Sequence, residues 1–64
     1  MLDLITLCKH IIDTNGKPNE QNVLECGYSK EHFKALTNAN VRPERIVKNA
    51  REMLVARGIH YKEV

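Results

Sequence analysis

The chain has 64 residues, a formal net charge of +2, and only two cysteines and three glycines. A chain of this size buries only ~60% of the surface that its unfolded form exposes, so its small core cannot spare the volume of a deep substrate pocket. We expect one complete domain, residues 1–64. Residues 1–14 have no basic n-region and polar residues interrupt their apolar ones, so we expect no signal peptide. No stretch approaches about 18 uninterrupted apolar residues, so we expect no membrane-spanning segment.

The charge is unevenly distributed along the chain. Residues 1–29 contain two basic and four acidic residues, a net charge of −2, whereas residues 30–64 contain eight basic and four acidic residues, a net charge of +4. A basic excess in one half favours an anionic partner for that half. An ordinary solvated helix surface would carry the same charges, so charge alone leaves both interpretations open.

The first predicted helix covers about residues 2–14. Its apolar residues recur at i, i+1, i+4, i+7 and i+8, the spacing of one face of an α-helix. These residues are Leu4, Ile5, Cys8, Ile11 and Ile12. Asn15-Gly16 ends the helix, because asparagine and glycine tolerate a left-handed backbone. Leu2 and Leu7 widen the apolar surface, which we interpret either as further core contact or as the interface of a homodimer.

The second predicted helix is short, at about residues 19–26. Val23 and Cys26 are expected to face the core, with Leu24 as a further candidate, and Gly27 ends the helix.

The third predicted helix covers about residues 30–38. Ser29 suits its N-terminus, because a serine hydroxyl accepts hydrogen bonds from the free amides of the first turn. Phe33 and Leu36 lie at i and i+3 and form its inner face. Asn38-Ala39-Asn40 breaks the helix.

The fourth predicted helix covers about residues 43–57 and begins with Pro43, a residue favoured in a first turn. Its apolar residues repeat the spacing of the first helix. These residues are Ile46, Val47, Ala50, Met53 and Leu54. Gly58 ends the helix and residues 59–64 form a short tail. Four helices without a strand predict a small all-α domain.

Catalytic and metal-binding groups are not indicated. His10, His32 and His60 are too scattered for a metal site, and the three glycines are isolated rather than grouped in a phosphate-binding loop. Cys8 and Cys26 fall on apolar helix faces, which favours buried free thiols in a reducing compartment over a disulfide. We therefore predict a protein that is not an enzyme and has no cofactor.

Two short helices joined by a glycine-containing turn are the arrangement of a helix-turn-helix, which we predict for residues 19–38. Gly27 supplies a positive φ in the turn. Val23, four residues before this glycine, lies where the two helices cross and where alanine is common. Asn22 lies where an apolar residue is usual.

The segment Glu25-Cys26-Gly27-Tyr28-Ser29-Lys30-Glu31-His32-Phe33 resembles the helix-turn-helix of AraC-type transcription regulators, in which Gly-Tyr/Phe-Ser is followed by an aromatic residue four positions later. Arg42-Pro43 and the helix after it are similar to the segment that follows that family's recognition helix, so the resemblance covers roughly residues 22–54. The family's DNA-binding unit contains two such motifs and this chain contains one. A Gly-Tyr-Ser element also occurs in phage terminase small subunits. The resemblance implies a motif that binds double-stranded DNA.

The residues expected to contact DNA are Ser29, Lys30, Lys34, Asn38, Arg42, Arg45, Lys48 and Arg51. Lys30, Lys34 and Asn38 follow one another at i, i+4 and i+8; lysine can donate to guanine, and asparagine can pair with adenine. Ser29 is placed to donate to a phosphate, and the basic residues of the fourth helix are placed to contact phosphates. For each residue the alternative is a solvated, charged helix surface.

The sequence thus predicts a cytoplasmic DNA-binding protein, a transcription regulator of bacterial or phage type. A single module of this kind buries only ~600–1,000 Å² on DNA, so specificity normally needs a dimer or a neighbouring partner. The candidate contact of a homodimer is Leu2 and Leu7. The alternative is a small adaptor or inhibitor, such as a phage product that docks on a host protein, with the charged fourth helix against an acidic patch.

Overall fold

The computed structural model describes residues 2–62, which form four α-helices and no β-strand. The helices are α1 (Leu4–Asp13), α2 (Glu20–Glu25), α3 (Lys30–Leu36) and α4 (Pro43–Ala56). α1 packs against α4 and α2, and α2 packs against α3. The predicted all-α class is confirmed, and no predicted helix bound differs from the observed one by more than two residues. None of these helices is long and apolar enough to cross a bilayer.

Local hydrogen bonds explain where the helices begin. Asp3 accepts from the backbone amide of Thr6 at 3.0 Å before α1. Asn19 accepts from the Asn22 amide at 2.9 Å before α2. Ser29 accepts from the His32 amide at 3.2 Å before α3. Each bond satisfies a first-turn amide that has no partner within its own helix.

The core lies where α1, α2 and α4 meet. Its buried residues are Leu7, Cys8, Ile11, Ile12, Val23, Cys26, Ile46, Ala50 and Leu54. Both cysteines are buried free thiols. Val23 and Ala50 have no exposed surface. Val23, which is larger than the alanine common at the predicted helix crossing, is therefore fully enclosed.

Two residues of α1 exchange the roles that the sequence predicts for them. Leu7 is only 2% exposed, whereas Ile5 is 37% exposed. The observed inner face follows the spacing i, i+3, i+4, i+7 and i+8 counted from Leu4, which includes position 7 and leaves out position 5. The predicted homodimer contact through Leu7 is therefore wrong, because this side chain is part of the core. Leu2 is exposed.

Two predicted inward-facing residues point outward. Met53 was expected in the core of α4 and is exposed, while Ile46, Ala50 and Leu54 form the buried stripe of that helix. Leu24 of α2 is also exposed. A helix that contacts its neighbours along one narrow stripe has no second apolar layer to cover such positions.

The chain after α4 returns to α1. The Tyr61 hydroxyl donates to the Asp13 carboxylate at 2.9 Å, and the Lys62 ammonium lies 2.6 Å from the same carboxylate. The Arg51 guanidinium donates to the Lys62 carbonyl at 3.1 Å. Met1 of the predicted domain and residues 63–64 of the predicted tail lie outside the described residues.

Candidate nucleic-acid interface

The turn between α2 and α3 has a defined hydrogen-bonding pattern. The Gly27 amide donates to the Leu24 carbonyl at 2.9 Å, and the Tyr28 amide donates to the Val23 carbonyl at 3.2 Å. With Gly27 at φ 92°, these two bonds form a Schellman motif, which satisfies the last carbonyls of a helix and reverses the chain direction. A residue with a Cβ would be strained at this φ. The turn therefore needs glycine where the sequence has it.

Apolar contacts hold the turn on the core. Cys26 is buried, and Tyr28 and Phe33 pack against the core while remaining partly exposed. The Asp3 amide donates to the Cys26 carbonyl at 2.8 Å, which ties the start of α1 to the end of α2. Burial raises the pKa of the Cys26 thiol, and it also raises the pKa of Cys8. Both thiols are therefore uncharged near neutral pH and are poor nucleophiles.

α3 carries two lysines on its exposed side. Lys30 and Lys34 are one helical turn apart and both are exposed, while Phe33 and Leu36 are half-buried on the inner side. Residues four apart in an α-helix lie on the same face. Glu31 is also exposed, in the first turn, where a carboxylate interacts favourably with the helix dipole. The solvent side of α3 thus combines two cations with one anion.

Asn38 does not belong to the α3 stripe, contrary to the predicted helix. α3 ends at Leu36, and the hydroxyl of Thr37 donates back to the Phe33 carbonyl at 3.0 Å. The Thr37 amide donates to the same carbonyl at 3.1 Å, so this carbonyl accepts both bonds at the end of the helix. The Asn38 side-chain oxygen accepts from the Asn40 amide at 2.9 Å. Asn38 is therefore an exposed turn residue whose oxygen is used to shape the loop.

Ser29 is exposed at the start of α3, where the sequence places it. Its hydroxyl oxygen accepts the hydrogen bond of the His32 amide. A hydroxyl also has one proton to donate. Ser29 can therefore cap α3 and donate to a phosphate at the same time.

The basic residues of α4 do not share one face. They are three residues apart, and three residues fall ~60° short of a full turn of an α-helix. Arg42, Arg45 and Lys48 are exposed. Arg51 lies further round the helix, is half-buried, and is hydrogen-bonded to the tail. The structure therefore leaves three of these four cations on the solvent surface and gives Arg51 an intramolecular partner.

His32 is exposed on α3 and packs on the ring of Tyr28, with the ring centroids 4.7 Å apart. Sequence reasoning did not predict this ring contact, although an aromatic residue and a histidine four positions apart across a helix start could have suggested it. The contact joins the segment between α2 and α3 to the N-terminal end of α3.

The position of α2 depends on a histidine that the sequence left without a role. The His10 imidazole Nε2 accepts from the Asn19 amide at 3.1 Å, which holds the start of α2 against α1. Nothing in the spacing of residues nine apart, with a proline between them, signals this bond. Among residues 2–62, no group of three or more His, Cys, Asp or Glu side chains is arranged to hold a metal ion.

The fold defines the class of this protein as a small all-α domain of four helices. Comparison of the chain with known protein families, curated proteins and solved structures gives no match. The resemblance of residues 22–54 to AraC-type regulators thus stays a prediction, and so does the helix-turn-helix itself.

Proposed function

We propose that the protein is a small helix-turn-helix protein that binds double-stranded DNA, with a role in transcription regulation. The observation that carries the proposal is the Schellman turn at Gly27, which joins two short helices and leaves the lysines of α3 exposed. In a helix-turn-helix, the second helix lies in the major groove and its N-terminal residues contact the bases.

In this proposal the contacts divide by their chemistry. Lys30 and Lys34 reach base edges or phosphates from α3, and Ser29 donates to a phosphate at its start. Arg42, Arg45 and Lys48 neutralise phosphates, which increases affinity without reading sequence. Arg51 is left out, because its guanidinium is bonded to the tail. The proposed function requires no cofactor and no catalytic residue.

Specificity on DNA normally requires more than one such module. We therefore include a homodimer in the proposal. Because Leu7 is buried, the two copies would contact each other through the exposed Leu2 and Ile5 at the start of α1.

The test is fluorescence anisotropy of a labelled duplex titrated with the full chain over a range of salt concentrations. We expect the affinity to fall steeply with salt, as released counterions require. The double variant Lys30→Ala/Lys34→Ala should bind more weakly and should reduce the salt slope by about 1 for each of the two lysines that contacts a phosphate. Lys17→Ala is the control for loss of a lysine, because Lys17 is also exposed but lies in the loop before α2.

Two results would contradict the proposal. One is absence of binding at low salt, where electrostatic attraction is strongest. The other is an effect of Lys17→Ala about half as large as that of the double variant, the same per lysine removed, which would indicate nonspecific attraction to a cationic chain. Either would favour the second function, an adaptor whose basic α4 surface docks on an acidic protein patch.

A further inference from the structure

The outer surface of α2 has an apolar side chain between carboxylates. We define the α2 face as Glu20, Gln21, Leu24 and Glu25, which together line an open surface depression. Leu24 is 45% exposed, which is high for a large apolar residue of a helix packed on two sides. Within residues 2–62 the ion pair present joins Lys62 to Asp13, so neither glutamate of the α2 face is neutralised by a described partner.

A third carboxylate adds to the negative charge at one end of this face. Asp3 is bonded through its amide to the Cys26 carbonyl, directly after α2. After burial itself, the charges of Asp3 and Glu25 are the causes that raise the pKa of the Cys26 thiol, so both lie close to the end of the helix. Residues 18–29 contain no lysine or arginine. Glu20 and Glu25 therefore have no basic residue within their own segment, while Lys9 acts on Asp3.

This charge excludes the α2 face from the DNA interface proposed above, because carboxylates and phosphates repel each other. An exposed apolar residue within a charged rim is instead the anatomy of a protein-binding surface. We propose that the α2 face is a docking site for a positively charged segment of a partner protein. One apolar side chain of that segment packs on Leu24, and its lysines or arginines pair with Glu20 and Glu25.

The size of the face defines the kind of partner. A six-residue helix is only ~9 Å long at ~1.5 Å per residue. A standard interface between folded proteins buries ~800 Å² on each side, which four side chains cannot supply. The occupant is therefore a short peptide segment rather than the broad surface of a folded domain. The site acts independently of DNA binding, since the two surfaces carry opposite charges.

The test is an NMR titration of the isotopically labelled full chain with two synthetic peptides. One has lysine and leucine at helical spacing, and the other has glutamate in place of every lysine. We expect the lysine peptide to shift the backbone amide signals of Gln21, Leu24 and Glu25, and the glutamate peptide to leave them unchanged. Leu24→Ser should weaken binding about tenfold, the effect typical of losing a central apolar contact. Val55→Ser is the matched control, because Val55 is 46% exposed on α4.

Three results would overturn the proposal. The first is equal binding of both peptides, and the second is an equal loss of binding in Leu24→Ser and Val55→Ser. The third is a dilution-dependent shift of the α2 amides without peptide that Leu24→Ser abolishes, which would assign the face to a second copy of this chain. The double variant Lys30→Ala/Lys34→Ala should retain peptide binding, so failure of the DNA proposal and failure of this one are distinguishable.

Discussion

Single residues in the loops set the geometry of this small fold, and Gly16 is the clearest case. The sequence predicts that Asn15-Gly16 ends α1 with a left-handed residue. Asn15, at φ 56°, takes the first left-handed position, and Gly16 follows at φ 83°. A Cβ on Gly16 would overlap the Pro43 carbonyl and lie 2.8 Å from the Pro43 Cα. Gly16 is therefore needed both for its backbone conformation and for the close approach of the first loop to the start of α4.

We predict that Gly16→Ala destabilises the protein far more than Gly58→Ala. Both positions have a positive φ, but a Cβ on Gly58 would meet nothing within 4 Å. The left-handed backbone alone costs about 1–2 kcal/mol at either position, and overlap with Pro43 adds about 1–3 kcal/mol at Gly16 only. Since a core of this size supplies only ~3–5 kcal/mol, Gly16→Ala should be largely unfolded. Circular dichroism melts of the two variants test this, and equal losses would contradict the proposed close approach.

At the scale of helices, the local sequence determines where each helix ends more strongly than it determines which residues the helix buries. α1, α2 and α4 each end in a Schellman motif, with a left-handed residue at Asn15, Gly27 and Gly58. α3 lacks such a residue at its end, and none of its residues is fully buried. A helix with little burial depends more on its terminal hydrogen bonds. The stability of α3 therefore depends strongly on Ser29.

We predict that Ser29→Ala loosens α3 and that Ser29→Asn does not. Loss of the hydrogen bond from the His32 amide should cost about 1 kcal/mol, whereas asparagine is as good an N-cap as serine. Amide hydrogen exchange of residues 32–36 should accelerate roughly fivefold in Ser29→Ala, since 1.4 kcal/mol corresponds to a factor of 10. Unchanged exchange in the alanine variant would show that packing on α2 alone holds the helix.

At the scale of the whole molecule, the C-terminal tail is bonded to the end of α1 and to α4. Tyr61 and Lys62 both bind Asp13, and Arg51 holds the Lys62 carbonyl from α4. The Lys9 ammonium also lies 5.3 Å from the centre of the Tyr61 ring. Because these contacts join α1, α4 and the tail, we expect the tail to contribute to the cooperative stability of the fold.

We predict that Asp13→Asn changes how stability depends on pH. The hydrogen bonds from Lys62 and Tyr61 lower the pKa of Asp13 below its ordinary value of 3.8. The stabilisation is therefore present above that pH and is lost as the pH falls through the lowered folded value. The bond to Asp13 raises the pKa of Lys62 above 10.5, so stabilisation is also lost as the pH rises through the raised folded value.

Urea denaturation of both proteins over a pH series measures this effect. The difference in unfolding free energy between wild type and Asp13→Asn should be constant around neutral pH and should shrink at both extremes. Asp3, whose pKa is also lowered by its bonds to Thr6, is present in both proteins and cancels in the difference. A difference that persists at strongly acidic pH would show that Asp13 acts through packing and not through its charge.

Much of the candidate DNA surface could be predicted from the sequence because its elements are local. Gly27 takes the predicted turn position, Ser29 caps α3, and Lys30 and Lys34 are exposed. Turns and caps depend on residues within a few positions of each other, so they can be predicted locally. Asn38 departed from its predicted place because α3 ends at Leu36 and the Asn38 side chain bonds to the Asn40 amide in the turn that follows. Arg51 departed because its partner in the tail is 11 residues away.

By itself, the sequence determined the all-α class and the position of each helix, because periodicity and capping act over a single turn. Only the tertiary structure decided that Leu7 is buried and Ile5 exposed, since apolar residues at positions 4, 5 and 7 fit two overlapping helical faces. It also decided that the tail closes on Asp13. Tyr61 and Asp13 are 48 residues apart, and contacts over such a separation depend on how helices pack, which no local pattern encodes.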